Sequence, residues 1–241
     1  LLAAYRAAED GLPRAIVDAL ARAVEHAVAN VPAVAGSVAL CPDVSGSMFS
    51  PIAGRRGTAT SKVRCIDVAA LVTAAFLRKN ERATVLPFSD DVVALPRPLS
   101  RLDSVVTNAE LLSSLPGGGT SCAAPLRSLN ARGEAPDLVV IVSDNQAWSD
   151  FRLTPRASDP GAGATRGTVM AEEWARLRAN NPRTKLVLVD LQPHAATHPT
   201  IRADVLNVGG FSDAVFDVVA SFANDHGSGE AILDAIQSVS I

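Results

Sequence analysis

The sequence predicts an α/β fold: a doubly wound, mostly parallel sheet flanked by helices, with one short antiparallel edge strand. Short apolar runs bounded by turn residues recur along the chain, a pattern typical of strands covered on both faces. Segments with apolar residues at helical spacing separate these runs, and strands that alternate with helices form parallel sheets. The chain has 241 residues, of which 48% are hydrophobic, and this length is sufficient for a sizeable core.

The amino-terminal part is a lead-in segment followed by a packing helix, together residues 1–30. Pro13 suits a first helical turn, and the helix is predicted over 14–30. Its packing face is predicted from Ile16, Ala19, Leu20, Ala23 and Ala27. The sheet-and-helix body follows as residues 37–241, beginning with a strand at 37–41. We therefore predict one domain over residues 1–241.

Strands and helices alternate through the body. Further strands are predicted at 83–88, 138–143, 185–191 and 205–208, and residues 92–94 provide the antiparallel edge after a turn at 89–91. Helices are predicted at 61–79, 108–115, 123–132, 168–180 and 230–240, with one more around Val215 and Phe222. The Pro- and Gly-rich segment 149–167 is a long loop.

An Asp-x-Ser-x-Ser loop, with Asp43, Ser45 and Ser47, follows the first strand. Three oxygen-bearing side chains at alternate loop positions converge on one point, and hard cations such as Mg²⁺ prefer oxygen ligands. The loop therefore predicts a binding site for Mg²⁺ or another divalent cation such as Mn²⁺. The alternative is a purely structural loop, since Asp, Ser and Gly are ordinary turn residues.

Two later stretches supply further oxygen ligands. Thr120 follows the glycines 117–119, whose missing side chains allow close approach of the backbone. Asp144 ends the strand at 138–143, and in parallel sheets the carboxyl ends of strands line the ligand crevice. We therefore expect Thr120 and Asp144 to face Asp43.

Other side chains are candidates for a partner-binding rim. Arg55, Arg56 and Lys62 precede or begin the helix predicted at 61–79, and Trp148 follows Asp144. A cationic rim beside a metal favours a carboxylate or phosphate on the partner, because both charges attract it. The alternatives are solvated arginines in an exposed loop and an indole packed beneath a loop.

Composition narrows the function classes. The net charge of -3 disfavours a broadly basic surface for nucleic acid. Three cysteines without C-x-x-C spacing and the lack of a glycosylation sequon favour the cytoplasm, and no apolar run is long enough to predict a membrane span. His194 and His198 stand between prolines without a metal motif, and Asp90 and Asp91 are interpreted as turn residues.

The ordered set of Asp43, Ser45, Ser47, Thr120 and Asp144 resembles the metal-ion-dependent adhesion site of von Willebrand factor A domains, and all five positions match. The resemblance implies a von Willebrand factor A fold, which is Rossmann-like. It implies that the two serines and the threonine bind the cation directly or nearly so and that the aspartates act largely through water. A partner then donates the last oxygen, usually from a carboxylate.

A wider resemblance is to the A domains of the Ro ribonucleoprotein (TROVE) family. It rests on collinear stretches along nearly the whole chain, at 2–6, 12–20, 43–48, 118–123, 143–148 and 208–212. Ro-like proteins carry a ring of helical repeats that binds Y RNA and misfolded RNA. The resemblance implies that RNA binding belongs to that ring, which this sequence lacks, and that residues 1–5 are its trailing end.

We predict a non-enzymatic, monomeric, cation-dependent binding module of a bacterial Ro-like ribonucleoprotein. The alternative is an extracellular integrin-type adhesion domain that binds a protein carboxylate through the metal. Enzyme motifs are incomplete: Ser45 stands where an aspartyl phosphotransferase needs an acid, Thr120 stands where a P-loop needs lysine, and Ser47 has no G-x-S-x-G elbow.

Overall fold

The computed structural model describes residues 1–8, 11–52, 62–144, 166–193 and 202–224. One sheet contains five strands: β1 (Val38–Pro42), β2 (Ala83–Val85), β3 (Leu138–Ser143), β4 (Lys185–Asp190) and β5 (Val205–Gly209). Their order is β2-β1-β3-β4-β5, and all pairings between these strands are parallel. The chain moves outward in opposite directions from β1 and β3, and ligands of doubly wound sheets bind at such a reversal.

Seven helices flank the sheet within the described residues: α1 (Leu2–Ala8), α2 (Arg14–Val28), α3 (Cys65–Lys79), α4 (Val105–Ser113), α5 (Ala124–Ala131), α6 (Arg166–Asn180) and α7 (Ala214–Asn224). The predicted α/β class is confirmed. Helix α4 begins before its predicted start because Ser104 caps it, accepting the N–H of Thr107. No helix in the described ranges is both long and apolar enough to cross a bilayer. The helix predicted at 230–240 lies outside those ranges.

The middle of the sheet is buried on both faces. All five residues of β1 and all six of β3 are buried. Side chains of a strand alternate between faces, so Val38 and Leu40 join the core cluster beneath α3 and α7, whereas Ala39 and Cys41 join the cluster beneath α5 and α6. The two central strands are therefore held between two apolar layers.

The predicted antiparallel edge is reduced to a single bridge between Phe88 and Val92. Val93 donates its N–H to the carbonyl of Pro87 at 2.7 Å. Because Pro87 has no N–H to return this hydrogen bond, a regular antiparallel ladder does not form there.

The packing face of α2 differs from the predicted one. The helix buries Val24 and Val28, whereas Ile16 is 44% exposed. The predicted face was composed largely of alanines, and the branched valines bury more apolar surface against the core. Helical spacing identified the helix correctly but selected the wrong side of it.

The lead-in segment forms α1 and packs on the same body. The hydroxyl of Tyr5 donates to Glu110 at 2.7 Å, which joins α1 to α4. Arg6 donates to Asp67 of α3 at 2.8 Å. The assignment of residues 1–5 to the end of a ring stays a prediction.

Candidate metal centre

The carboxyl ends of β1 and β3 lie side by side where the strand order reverses. Register pairs Pro42 with Val142, which places Asp43 beside Ser143 and Asp144 one residue further along. The N–H of Asp43 continues the ladder by donating to Val142 at 2.9 Å. Asp43 and Asp144 are therefore positioned by the two fully buried strands, as expected from the pattern of the sequence.

The carboxylate of Asp43 is held in one orientation. It is fully buried, its Oδ1 accepts the N–H of Ser45 at 2.7 Å, and its Oδ2 accepts the hydroxyl of Ser143 at 2.6 Å. The bond to Ser45 is the turn-forming contact typical of an aspartate two residues upstream. Each carboxylate oxygen has more than one acceptor position, so both retain capacity for water or a cation.

A chain of oxygen side chains extends from Ser45 to Asp144. The Oγ atoms of Ser45 and Ser47 are 3.2 Å apart, and the hydroxyl of Ser47 donates to Oδ1 of Asp144 at 2.9 Å. Ser45 is fully buried. The contacts therefore bring together four of the five residues predicted to bind a cation.

Thr120 belongs to a third loop that touches the Asp43 loop through the backbone. The N–H of Gly46 donates to the carbonyl of Gly118 at 2.9 Å. This approach depends on glycine, because a Cβ at Gly117 would lie 3.2 Å from Cα of Gly46. Thr120 follows two residues after Gly118 and is partly exposed.

The two aspartates carry a charge that the protein itself compensates only in part. Burial raises the pKa of Asp43; hydrogen bonds from Ser143 and Ser45 lower it, and the charge of Asp144 raises it. Burial likewise raises the pKa of Asp144, a hydrogen bond from Ser47 lowers it, and Asp190 adds to the increase. A cation placed here favours both ionised forms.

The thiol of Cys65 lies near the same negative charges. Burial raises the pKa of Cys65 to about 11, and the negative charges of Asp144 and Asp190 contribute to the increase. The hydrogen bond that Cys65 accepts from Gln192 acts in the opposite direction. The start of α3 therefore faces a negative region.

The donor chemistry fits a hard divalent cation. In the described part of the chain, no group of three or more His, Cys, Asp or Glu side chains is arranged to hold a metal. The candidate set instead combines two carboxylates with serine and threonine hydroxyls, which suits Mg²⁺ or Mn²⁺ better than zinc. The assignment of these five residues as metal ligands stays a prediction.

The predicted rim is only partly visible. Arg55, Arg56 and Trp148 lie outside the described residues, as do His194 and His198. Lys62 is exposed before the start of α3. These residues therefore stay predictions as partner contacts.

A further cationic side chain is Arg64, which lies with Lys62 at the predicted helix start. It lies 5.3 Å from the ring centroid of Phe49, two residues after Ser47, and pairs with Asp67 at 2.8 Å. Sequence reasoning missed two contributors: Ser143, which holds Asp43, and Asp90, which accepts the N–H of Gly119 at 2.8 Å. Ser143 had a signal, since it ends the same strand as Asp144. The turn sequence around Asp90 gave no indication of its distant contact.

Comparisons with known proteins agree with this fold. Residues 37–157 match the family model of the Ro60 vWA domain. The chain is 28% identical over 214 residues to the RNA-binding protein RO60 of Deinococcus radiodurans, an alignment that covers 88% of this chain and 36% of that protein. The crystal structure of the Deinococcus radiodurans Ro (RSR) protein matches with a TM-score of 0.62 and 25% identity, covering 88% of this chain and 38% of that one.

The chain thus spans little more than a third of the length of these two relatives, at 36% and 38%. The family model covers the Asp43 loop, the Thr120 loop and Asp144 within one continuous match. The chain belongs to the Ro60 von Willebrand factor A domain family.

Proposed function

We propose that this chain is a non-enzymatic, divalent-cation-dependent ligand-binding module of a Ro-like RNA-binding ribonucleoprotein. The observation that carries the proposal is the connected set of oxygen side chains from Ser45 through Ser47 to Asp144, beside the fixed carboxylate of Asp43. This set lies where the strand order of the sheet reverses, the usual ligand position of a doubly wound fold.

The hydroxyls of Ser45, Ser47 and Thr120 would hold the cation directly, and Asp43 and Asp144 would hold it largely through water. The hydrogen bonds to both oxygens of Asp43 support this division, since they orient the carboxylate for a relayed contact. When bound, the cation supplies a positive charge that coordinates one further oxygen, donated by a protein carboxylate or a phosphate. The protein's part is to fix the donor atoms and to keep the buried side of the site dry.

We assign RNA binding to a part of the longer protein outside residues 1–241. The relative of Deinococcus radiodurans is named an RNA-binding protein, and this chain covers only 36% of it. The net charge of -3 supports a separate RNA surface, such as the helical ring that binds Y RNA and misfolded RNA in Ro-like proteins. We place the module in the cytoplasm as a monomer. Its three buried cysteines, an odd number without disulfide-type spacing, favour the cytoplasm over an extracellular adhesion domain.

Calorimetric titration of Mg²⁺ and Mn²⁺ tests the cation site. Wild type is expected to give binding heats that disappear in Asp43→Ala. Asp18→Ala is the control, because Asp18 pairs with Arg14 on the exposed face of α2, away from the site. Equal heats for wild type and Asp43→Ala would contradict the proposal.

Electrophoretic mobility of a small stem-loop RNA tests where RNA is bound. The isolated chain is expected to retard the RNA only weakly at physiological salt, because a weak electrostatic contact is screened by ions. Tight retardation that persists at this salt would contradict the placement of RNA contacts outside the domain.

A further inference from the structure

The turn after β2 reaches the glycine loop with a side chain and a carbonyl. Oδ2 of Asp90 accepts the N–H of Gly119 at 2.8 Å, and the carbonyl of Ser89 accepts the N–H of Ser121 at 2.8 Å. These two hydrogen bonds flank Thr120 on both sides along the chain. A third bond, from Gly46 to the carbonyl of Gly118, joins the same loop to the Asp43 loop.

The fit between Asp90 and the loop leaves no room for a side chain. A Cβ at Gly119 would lie 2.2 Å from Oδ1 of Asp90, and a Cβ at Gly118 would lie 3.2 Å from its Oδ2. Asp91, the next residue, does not share this role: its carboxylate accepts the N–H of Val92 at 2.8 Å within the turn itself. The contact is therefore specific to one of two adjacent acids.

We propose that Asp90 is a positioning residue that fixes the hydroxyl of Thr120 for the cation. The inference rests on the proposed function, since it assumes that Thr120 binds the metal. Gly117, Gly118 and Gly119 give the loop more backbone freedom than any other residue type would. The hydrogen bond from Gly119 to Asp90 restricts the loop before the cation binds. The free energy of cation binding therefore includes a smaller entropy cost for ordering the loop.

Cation affinity and loop order should change together in the appropriate variants. Asp90→Ala is expected to weaken Mg²⁺ binding roughly tenfold, the size expected for one hydrogen bond to a charged acceptor. Asp90→Asn retains an acceptor oxygen and is expected to restore most of the affinity. Asp91→Ala is the matched control and is expected to bind as wild type does.

A double-mutant cycle separates positioning from a general structural role. If Asp90 acts through Thr120, Asp90→Ala has no further effect on Mg²⁺ affinity in a Thr120→Ala background. Amide hydrogen exchange of the metal-free protein gives a second reading. The N–H of Gly119 is expected to exchange roughly tenfold faster in Asp90→Ala and unchanged in Asp91→Ala.

The outcomes distinguish the two proposals. If wild type binds Mg²⁺ and Asp90→Ala binds it with the same affinity, the role of Asp90 is overturned and the proposed function is not. Fully additive losses of affinity in the double-mutant cycle would have the same meaning. Unchanged exchange at Gly119 would also overturn it. A wild-type protein that binds neither Mg²⁺ nor Mn²⁺ would overturn the proposed function and this inference with it.

Discussion

The hydroxyl of Ser143 donates to the carboxylate of Asp43 at 2.6 Å, linking the ends of the two central strands. This contact is one reason why the pKa of Asp43 is not raised further by burial. Both residues are completely buried. The bond therefore lowers the pKa of a buried acid against the effect of burial.

Replacing Ser143 should change the pH dependence of cation binding. Cation ligands act in their deprotonated form, and Ser143→Ala removes a bond that lowers the pKa of Asp43. The pH at which Mg²⁺ affinity is half lost on acidification should therefore lie higher in Ser143→Ala than in wild type. Calorimetry over a series of pH values measures this, with the exposed Ser114→Ala as control. Coincident profiles for wild type and Ser143→Ala would refute the assigned role.

Asp144→Asn should stabilise the metal-free protein at neutral pH. Burial and Asp190 raise the pKa of Asp144, so its charged form is less favourable in the folded than in the unfolded state. Such a group costs stability above its folded pKa, and the cost disappears as pH falls below the ordinary Asp value. An amide keeps an acceptor for Ser47 without the charge.

The thermal midpoint of Asp144→Asn in chelator should therefore exceed that of wild type at neutral pH, and the two should converge on acidification. Added Mg²⁺ should raise the midpoint of wild type only. A lower midpoint for the variant in chelator would show that the ionised carboxylate stabilises the fold.

Asp204→Asn should destabilise the protein at neutral pH. Burial alone would raise the pKa of Asp204, but hydrogen bonds from Arg202 and Trp174 and the charge of Arg178 outweigh it and lower the pKa to about 2. The stability that comes from the lowered pKa of Asp204 is fully present above the ordinary Asp pKa of 3.8. It is lost as the pH falls towards about 2.

Urea denaturation should give a lower midpoint for Asp204→Asn than for wild type, with the difference shrinking as pH falls from about 4 to about 2. Asp18→Asn, in an exposed pair with Arg14, is the control and should change little. A difference independent of pH would mean that packing, not charge, sets the effect.

Arg6→Ala should destabilise the body through Asp67. The carboxylate of Asp67 is 1% exposed and pairs with both Arg6 and Arg64. Losing one of two charged partners of a buried carboxylate should cost about 1.5–3 kcal/mol. Chemical denaturation measures this, with Arg14→Ala at the exposed start of α2 as the matched control. Equal losses for both arginine variants would show that α1 contributes nothing specific.

The architecture was predictable from the sequence because buried parallel strands consist of near-continuous apolar residues. Residues 138–142 are all apolar, and the structure buries all six residues of the strand Leu138–Ser143. The rule that ligand residues follow strand ends placed Asp43 and Asp144 together, and their strands are indeed neighbours. Local pattern and global topology agree in this part of the chain.

Other features depended on contacts that no local pattern records. The bond between Asp90 and Gly119 joins residues far apart along the chain, and a turn aspartate looks the same with or without it. The buried side of α2 was decided by which surface met the core, and two weakly apolar faces are hard to rank by spacing alone. The predicted antiparallel edge strand after Phe88 does not form a regular ladder, because Pro87 has no backbone N–H to donate.

The parallel ladder between β1 and β3 has a consequence for the spacing of the two aspartates. Because Asp43 and Asp144 follow strands that are hydrogen-bonded to each other, the ladder sets the separation of their backbones. The glycine loop, by contrast, is joined to its neighbours by single hydrogen bonds, from Gly46 to Gly118 and from Gly119 to Asp90. In the proposed metal centre, a cation of different radius would therefore be accommodated at the glycine loop rather than between the two strand ends.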